Sequence, residues 1–341
     1  MSRRIERSGI EIFSTSPPLG GAEGPGYLRR VVEIARLSDE AGCRGILVYT
    51  DNSQMDPWLV AQAIIQNTRA LCPLVAVQPL YMHPYTVAKM VTTLGNLYGR
   101  RLYLNMVAGG FSNDAVALDD TTPHDRRYDR LVEYTSLVKR LLAGGPPVTV
   151  AGEFYRVQGL RLAPPLPPAL APGLLVSGSS AAGWAAAKAI EAVAVRYPGP
   201  ERGEAVPAQG AAPPPGIRVG IIARESEEEA WQVAHARFPL DRKGELAHQL
   251  AMKVSDSHWH KQLSGASGSD GRSPYWLVPF QTFKTFCPYL VGSYERVAEE
   301  IASHLESGHR TFILDVPPGR EELEHINVAF ERAVEAAACP R

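Results

Sequence analysis

Short β-branched apolar runs alternate along this chain with longer stretches of helical period, a pattern that builds parallel βαβ units and not hairpins. The runs are Ile10–Phe13, Gly45–Thr50, Leu74–Gln78, Arg101–Val107, Gly173–Val176, Ala192–Arg196, Ile217–Ala223 and Thr311–Asp315. Eight strands, each followed by a helix, predict an α/β protein with a (β/α)8 TIM barrel and a site at the C-terminal strand ends. A doubly wound open sheet is the alternative. No GxGxxG turn follows a strand, however, and one switch point would not account for polar residues recurring after so many strands.

The helices carry their own signatures. Leu28, Val31, Val32 and Ala35 form an apolar face stopped by Gly42, and Val87, Met90, Val91, Leu94 and Leu97 repeat the spacing, as do Leu131, Tyr134, Val138 and Leu141. Asp56-Pro57 offers an N-cap and a first-turn proline, Ser226 with Glu229 reads as a capping box, and Val297, Ile301 and Leu305 mark a helix ended by Gly308. The 341 residues fit one domain, 1–341, with insertions at 147–172, 197–216 and 242–290. The first should hold a hairpin, Val148–Ala151 and Phe154–Val157 around Gly152-Glu153, and the second is Pro-rich. In the third, a Gly/Ser-rich centre is flanked by His258, Trp259, His260, Tyr275 and Trp276. These aromatics either close over a site as a lid or pack permanently against the barrel or a second subunit.

Composition removes several classes. Thirty-five basic against 36 acidic residues leave a formal net charge of −1, with no bulk field for nucleic acid or an anionic membrane surface. The charged N-terminus lacks a signal-peptide core, and no run approaches the ~18 apolar residues of a spanning helix, so a cytoplasmic location is expected. Cys43, Cys72, Cys287 and Cys339 form no CxxC pair and read as reduced, buried thiols.

At the strand ends stand Ser14, Thr15 and Ser16; Tyr49, Thr50 and Asp51; Gln78 and Tyr81; Asn105 and Ala108; Ser177 to Ser180; Tyr197; Arg224; and Asp315. The set is polar and largely uncharged. Without a His and carboxylate cluster it predicts no metal centre, and it lacks an obvious glycosidase pair, Asp51 and Asp315 aside. Ser177-Gly178-Ser179-Ser180 lies between a strand and an Ala-rich helix, where free N–H groups, hydroxyls and the helix dipole converge. The turn is either an ordinary N-cap or a phosphate site, and phosphate on a barrel with few catalytic acids points to a bound cofactor.

Six segments in order carry a resemblance: GILVYTDNSQMDPWLVAQ from Gly45, LYLNMVAGG from Leu102, HDRRYDRLVEYT from His124, VSGSS from Val176, GIRVGIIARESEEEAW from Gly216 and LVGSYERVAEEI from Leu290. The series resembles the bacterial luciferase-like flavin monooxygenases, most of all their alkanesulfonate monooxygenase branch. The resemblance implies an FMN site in which Asn105, Val107, Tyr128, Ser177, Ser179 and Ser180 contact the cofactor. Tyr128 also reads as a helix-face aromatic, and His124 as a cap or surface residue. Gln54, Ser16, Gly220 and Val316 stand where that branch carries Cys, His, His and Tyr, although Arg218 matches its strand-seven Arg and Lys284 is near its later loop Arg. A sulfonate needs fixed cations and donors, so a simple alkanesulfonate is not the expected substrate.

The resemblance further implies a two-component monooxygenase. Reduced FMN from a separate NAD(P)H-dependent flavin reductase would react with O2 to a C4a-(hydro)peroxyflavin, which passes one oxygen to a small organic substrate, such as a carrier-linked secondary-metabolite intermediate. Asn105, Arg218, Arg224, His83 and Lys284 are the catalytic candidates, each cation having a surface ion pair or core hydrogen bond as its alternative role. A homodimer or homotetramer is expected, without nucleic-acid or membrane partners. The rival readings are a deazaflavin-dependent hydride transferase on the same barrel and a flavin-binding protein without turnover.

Overall fold

A computed structural model describes residues 8–20, 24–109, 112–178, 180–199, 213–239, 241–242, 244–246 and 273–338. Strands β1 (Glu11–Thr15), β2 (Gly45–Val48), β3 (Cys72–Val77), β4 (Tyr103–Met106), β7 (Gly173–Ser177), β8 (Val193–Arg196), β9 (Gly216–Arg224) and β12 (Thr311–Leu314) pair in parallel and close into a ring. Closure runs through β1 on β12, β12 on β9 and β9 on β8. These are the eight strands that the apolar runs predict. Ten helices are described: α1 (Gly24–Glu40), α2 (Pro57–Asn67), α3 (Pro84–Tyr98), α4 (Ser112–Ala117), α5 (His124–Leu142), α6 (Ala181–Ala189), α7 (Glu227–Arg237), α8 (Val278–Gln281), α9 (Tyr294–Glu306) and α10 (Arg320–Ala338).

Strand periodicity sorts the side chains. Phe13, Leu47, Leu74, Tyr103, Leu175, Val195 and Ile313 fill the barrel, and alternate residues such as Ile12, Ile46, Val75, Leu104 and Phe312 face the helices. Helix starts follow local chemistry: Asp56 accepts from the N–H groups of Trp58 and Leu59, and Ser226 from that of Glu229. Not every residue at helical spacing is buried. Leu28, Met90 and Leu97 are exposed, while Val31, Ala35, Val87, Val91 and Leu94 pack inward.

The hairpin differs from its expected register, with β5 (Val148–Ala151) facing β6 (Arg156–Leu160). Glu133 on α5 is the cause: its carboxylate accepts from the N–H groups of Glu153, Phe154 and Tyr155 and holds them as a turn. The 242–290 segment also adds structure that periodicity misses. There β10 (Tyr275–Trp276) runs antiparallel to β11 (Tyr289–Ser293), and β11 pairs with the far half of β9. Tyr275 and Trp276 are buried, with Trp276 edge-on to Trp231, His235 and Phe238, so these two belong to permanent packing and not to a lid. His258, Trp259, His260 and Cys339 lie outside the described residues, whereas Cys43, Cys72 and Cys287 are buried and free. No helix among the described residues is long and apolar enough to cross a membrane.

Candidate active site

A pocket opens at the C-terminal strand ends, as barrel geometry requires. Its lining includes Tyr49, Thr50 and Asp51 after β2, Gln78 and Tyr81 after β3, Asn105 to Gly109 except Met106, Ser177, Gly178 and Ser180 after β7, Tyr197 after β8, and Arg218 on β9. Pro18, Gln54, Asp114, His124, Tyr128 and Phe286 complete much of the rest.

One wall is built by β4, β7 and the start of α6. Ser177 donates from Oγ to Asn105 Oδ1 at 2.8 Å, which fixes the amide of Asn105 across adjacent strands. Ser180 caps α6, its Oγ accepting from the Gly183 N–H at 3.1 Å, and shares a side-chain hydrogen bond with Tyr128. Burial raises the Tyr128 phenol, which stays protonated, and His124 stands edge-on to its ring at 5.5 Å between centroids. A side chain at 178 has no room: a Cβ there would lie 2.7 Å from the Tyr128 hydroxyl. Backbone, phenol and helix N-terminus thus meet closely enough to cradle a phosphate. Ser179 lies outside the described residues.

A second part of the lining carries Arg218, on β9, one strand beyond β8 from β7. It donates to the hydroxyls of Tyr49 and, at 3.5 Å, Tyr197, with its guanidinium carbon 5.2 Å from the Tyr49 ring centroid. Phe286 stands edge-on to Tyr49. Burial would lower the guanidinium's affinity for its proton, but the phenols of Tyr49 and Tyr197 and the more distant Asp315 overcome it, and Arg218 stays charged. Burial likewise raises the phenols of Tyr49 and Tyr197. Toward the rim, Tyr81 donates to Asp114 at 2.6 Å.

Three of the expected cations are elsewhere. His83 caps α3, its Nδ1 accepting from the Tyr85 N–H at 3.1 Å, because Pro84 begins the helix directly after it. Lys284 is exposed and paired with Asp241. Arg224 is buried and bound through both terminal nitrogens to Glu322, at 3.1 and 3.0 Å, a carboxylate that also takes Arg237. Among the strand-end hydroxyls, Ser14 donates to Ser38 and Thr15 to the Leu314 carbonyl, so both serve packing between elements. Asp315 accepts from Tyr289 at 2.7 Å and stands behind the lining.

Phe286 and Asp114 are among the lining residues that sequence reasoning did not select. Phe286 follows Phe283, which adopts a left-handed φ of 59° that an aromatic side chain rarely takes, in a segment without apolar periodicity. Only the fold brings it to Tyr49. Asp114 sits on the short α4 and reaches the pocket through its bond to Tyr81.

Comparison with known proteins finds relatives of the chain in sequence and in fold. A monooxygenase from Niallia circulans, acting on 4-(gamma-L-glutamylamino)butanoyl-[BtrI acyl-carrier protein], is 33% identical over 322 residues, covering 92% of this chain and 93% of its own. The oxygenating constituent of 3,6-diketocamphane monooxygenase from Pseudomonas putida, a type II Baeyer-Villiger enzyme solved with FMN, has a TM-score of 0.70 at 15% identity over 97% of this chain and 99% of that one. An F420-dependent secondary alcohol dehydrogenase solved with an F420-acetone adduct has a TM-score of 0.67 at 16% identity, covering 95% and 99%. These structural likenesses establish the barrel, and the sequence likeness does not single out the alkanesulfonate branch. The luciferase-like monooxygenase family profile matches residues 8–311, and the chain belongs to that family.

Proposed function

We propose that this chain is the oxygenating component of a two-component monooxygenase that takes reduced FMN from a separate NAD(P)H-dependent reductase. The observation that carries the reading is the wall made by Asn105, Ser177, Gly178, Ser180 and Tyr128, whose cradle would be filled by any Cβ at 178. A flavin phosphate suits that cradle, with Ser179 as a further donor and Val107 against the ring system. Reduced FMN, when bound, supplies the two electrons that let one atom of O2 enter the substrate while the other leaves as water.

The protein's part is placement. Asn105, held by Ser177, would hold the flavin ring system through its amide, the Tyr128 hydroxyl and the start of α6 would hold the phosphate, and Phe286 with Tyr49 would help to exclude water. The Niallia circulans relative favours a small acyl group on a carrier protein as substrate.

The test is oxygen uptake with reduced FMN under 18O2 and a panel of carrier-linked acyl chains. Substrate-stimulated uptake with one labelled oxygen in the product is the expected result. Hydride transfer from reduced F420 without oxygen uptake would replace this reading with the deazaflavin one, which the F420-dependent structural neighbour makes specific.

A further inference from the structure

Among the described residues, Arg218 is a buried charge without a counter-ion. The residue is 7% exposed, and among the described residues no carboxylate oxygen lies within 4.0 Å of its nitrogens. Its Nε has no hydrogen-bond partner, and its terminal nitrogens meet only the phenols of Tyr49 and Tyr197. Asp315 acts on it through space but is engaged by the Tyr289 hydroxyl. Arg224, on the same strand, shows the usual solution, two bonds to Glu322. An unpaired guanidinium taken out of water is costly, and this one lines the pocket, so the counter-ion it lacks is one that a ligand can bring.

The surroundings limit which anion fits. Arg218 is the only Lys or Arg in the described lining of this pocket. Two residues along the same strand face, Gly220 has no side chain, and the ring of Tyr289 takes that space, 2.3 Å from where a Cβ would stand. The flank beside Arg218 is therefore closed by an aromatic ring and offers no second cation. One planar fork with two phenols matches the two oxygens of a carboxylate, whereas the third oxygen of a sulfonate or phosphate calls for donors that this wall does not supply.

We propose that Arg218, with Tyr49 and Tyr197, is a socket for a carboxylate carried by the substrate. The proposal rests on the oxygenase reading in that flavin takes the wall of Asn105, Ser177, Gly178, Ser180 and Tyr128, leaving Arg218 to substrate. It names the substrate class as an acid whose free carboxylate is distinct from any carrier linkage.

The experiment measures binding and needs no turnover. Hexanoate, hexanamide, hexanesulfonate and hexylamine are titrated calorimetrically into the full chain, with and without oxidised FMN. Hexanoate is expected to bind about tenfold or more tighter than hexanamide, and tighter than hexanesulfonate. Arg218→Gln should abolish that preference while FMN affinity stays within about twofold. If Arg218→Gln fails to fold by circular dichroism, Arg218→Lys keeps the charge without the fork and should lose the preference for hexanoate over hexanesulfonate while still favouring hexanoate over hexanamide. No measurable hexanoate binding, binding blind to head group, a preference for hexanesulfonate, or an unchanged preference in the folded variant would each overturn the socket. So would a fall in FMN affinity equal to the fall for hexanoate, which would assign Arg218 to the flavin. Absent oxygen uptake beside an intact hexanoate preference would sink the oxygenase reading alone.

Discussion

Replacing Glu322 by Gln should unfold this barrel more readily than replacing either arginine that it binds. The Glu322 side chain is 4% exposed and holds Arg224, 7% exposed, and Arg237, 19% exposed. Through them it ties the start of α10 to the end of β9 and the last turn of α7. The cluster already has one positive charge in excess. Glu322→Gln leaves two largely buried guanidiniums unpaired, and removing one partner of a buried pair costs roughly 3–5 kcal/mol. Arg224→Met instead leaves Arg237 on Glu322 and puts an apolar chain in the gap, so a loss of about 1–3 kcal/mol is expected. Against a typical total of about 5–15 kcal/mol, the first change is close to disabling and the second is not. Urea unfolding followed by tryptophan fluorescence measures both, with Trp231 and Trp276 in contact beside α7 as reporters. A Glu322→Gln loss under about 1 kcal/mol, or an Arg224→Met protein of unchanged stability that no longer binds flavin, would refute the reasoning and return Arg224 to the site.

Ser180→Ala should weaken FMN binding by about 1–2 kcal/mol, through the lost cap and phosphate donor, and leave riboflavin almost unaffected; fluorescence titration of both flavins separates the cases. His83→Ala should cost about 0.5–2 kcal/mol of stability as a lost N-cap and spare substrate-stimulated oxygen uptake, so a folded variant without uptake would restore His83 to the chemistry. His304 and His309 should make the protein acid-sensitive. Burial, together with each other's proximity and Arg196, lowers His304 to about 3, and burial with Arg196 lowers His309 to about 4. Both stay neutral in the fold while the unfolded chain takes up protons near 6.5, so their contribution is complete above that pH and is lost as pH falls toward about 4. His309→Asn should flatten the stability profile between pH 6.5 and 4.5 by up to about 1.4 kcal/mol per pH unit, and an identical slope in both proteins would disprove this origin.

Much of the barrel was legible because strands and crossover helices declare themselves over short windows. The apolar runs marked all eight barrel strands, and Asp56, Ser180 and Ser226 marked helix starts, since periodicity and caps depend on neighbours a few residues away. The strand-end rule likewise found Tyr49, Thr50, Asp51, Gln78, Tyr81, Asn105, Ser177 and Tyr197, because in a barrel the chain's own direction delivers those positions to one mouth.

The partner of each charge and ring was decided by tertiary structure. Arg218 and Arg224 lie six residues apart on one strand, yet one faces the pocket among phenols and the other is tied to Glu322. Their fates depend on Tyr49, 169 residues from Arg218, and on Glu322, 98 residues from Arg224. Phe286 at the mouth, Tyr289 over Gly220 and the hairpin register set by Glu133 have the same origin. Sequence alone determined where strands, helices and the open end of the barrel would be, because those follow from covalent geometry and local spacing. The tertiary structure alone decided which buried charge keeps a counter-ion and which is left for a ligand, because Coulombic pairing and desolvation depend on contacts that close only when distant segments pack.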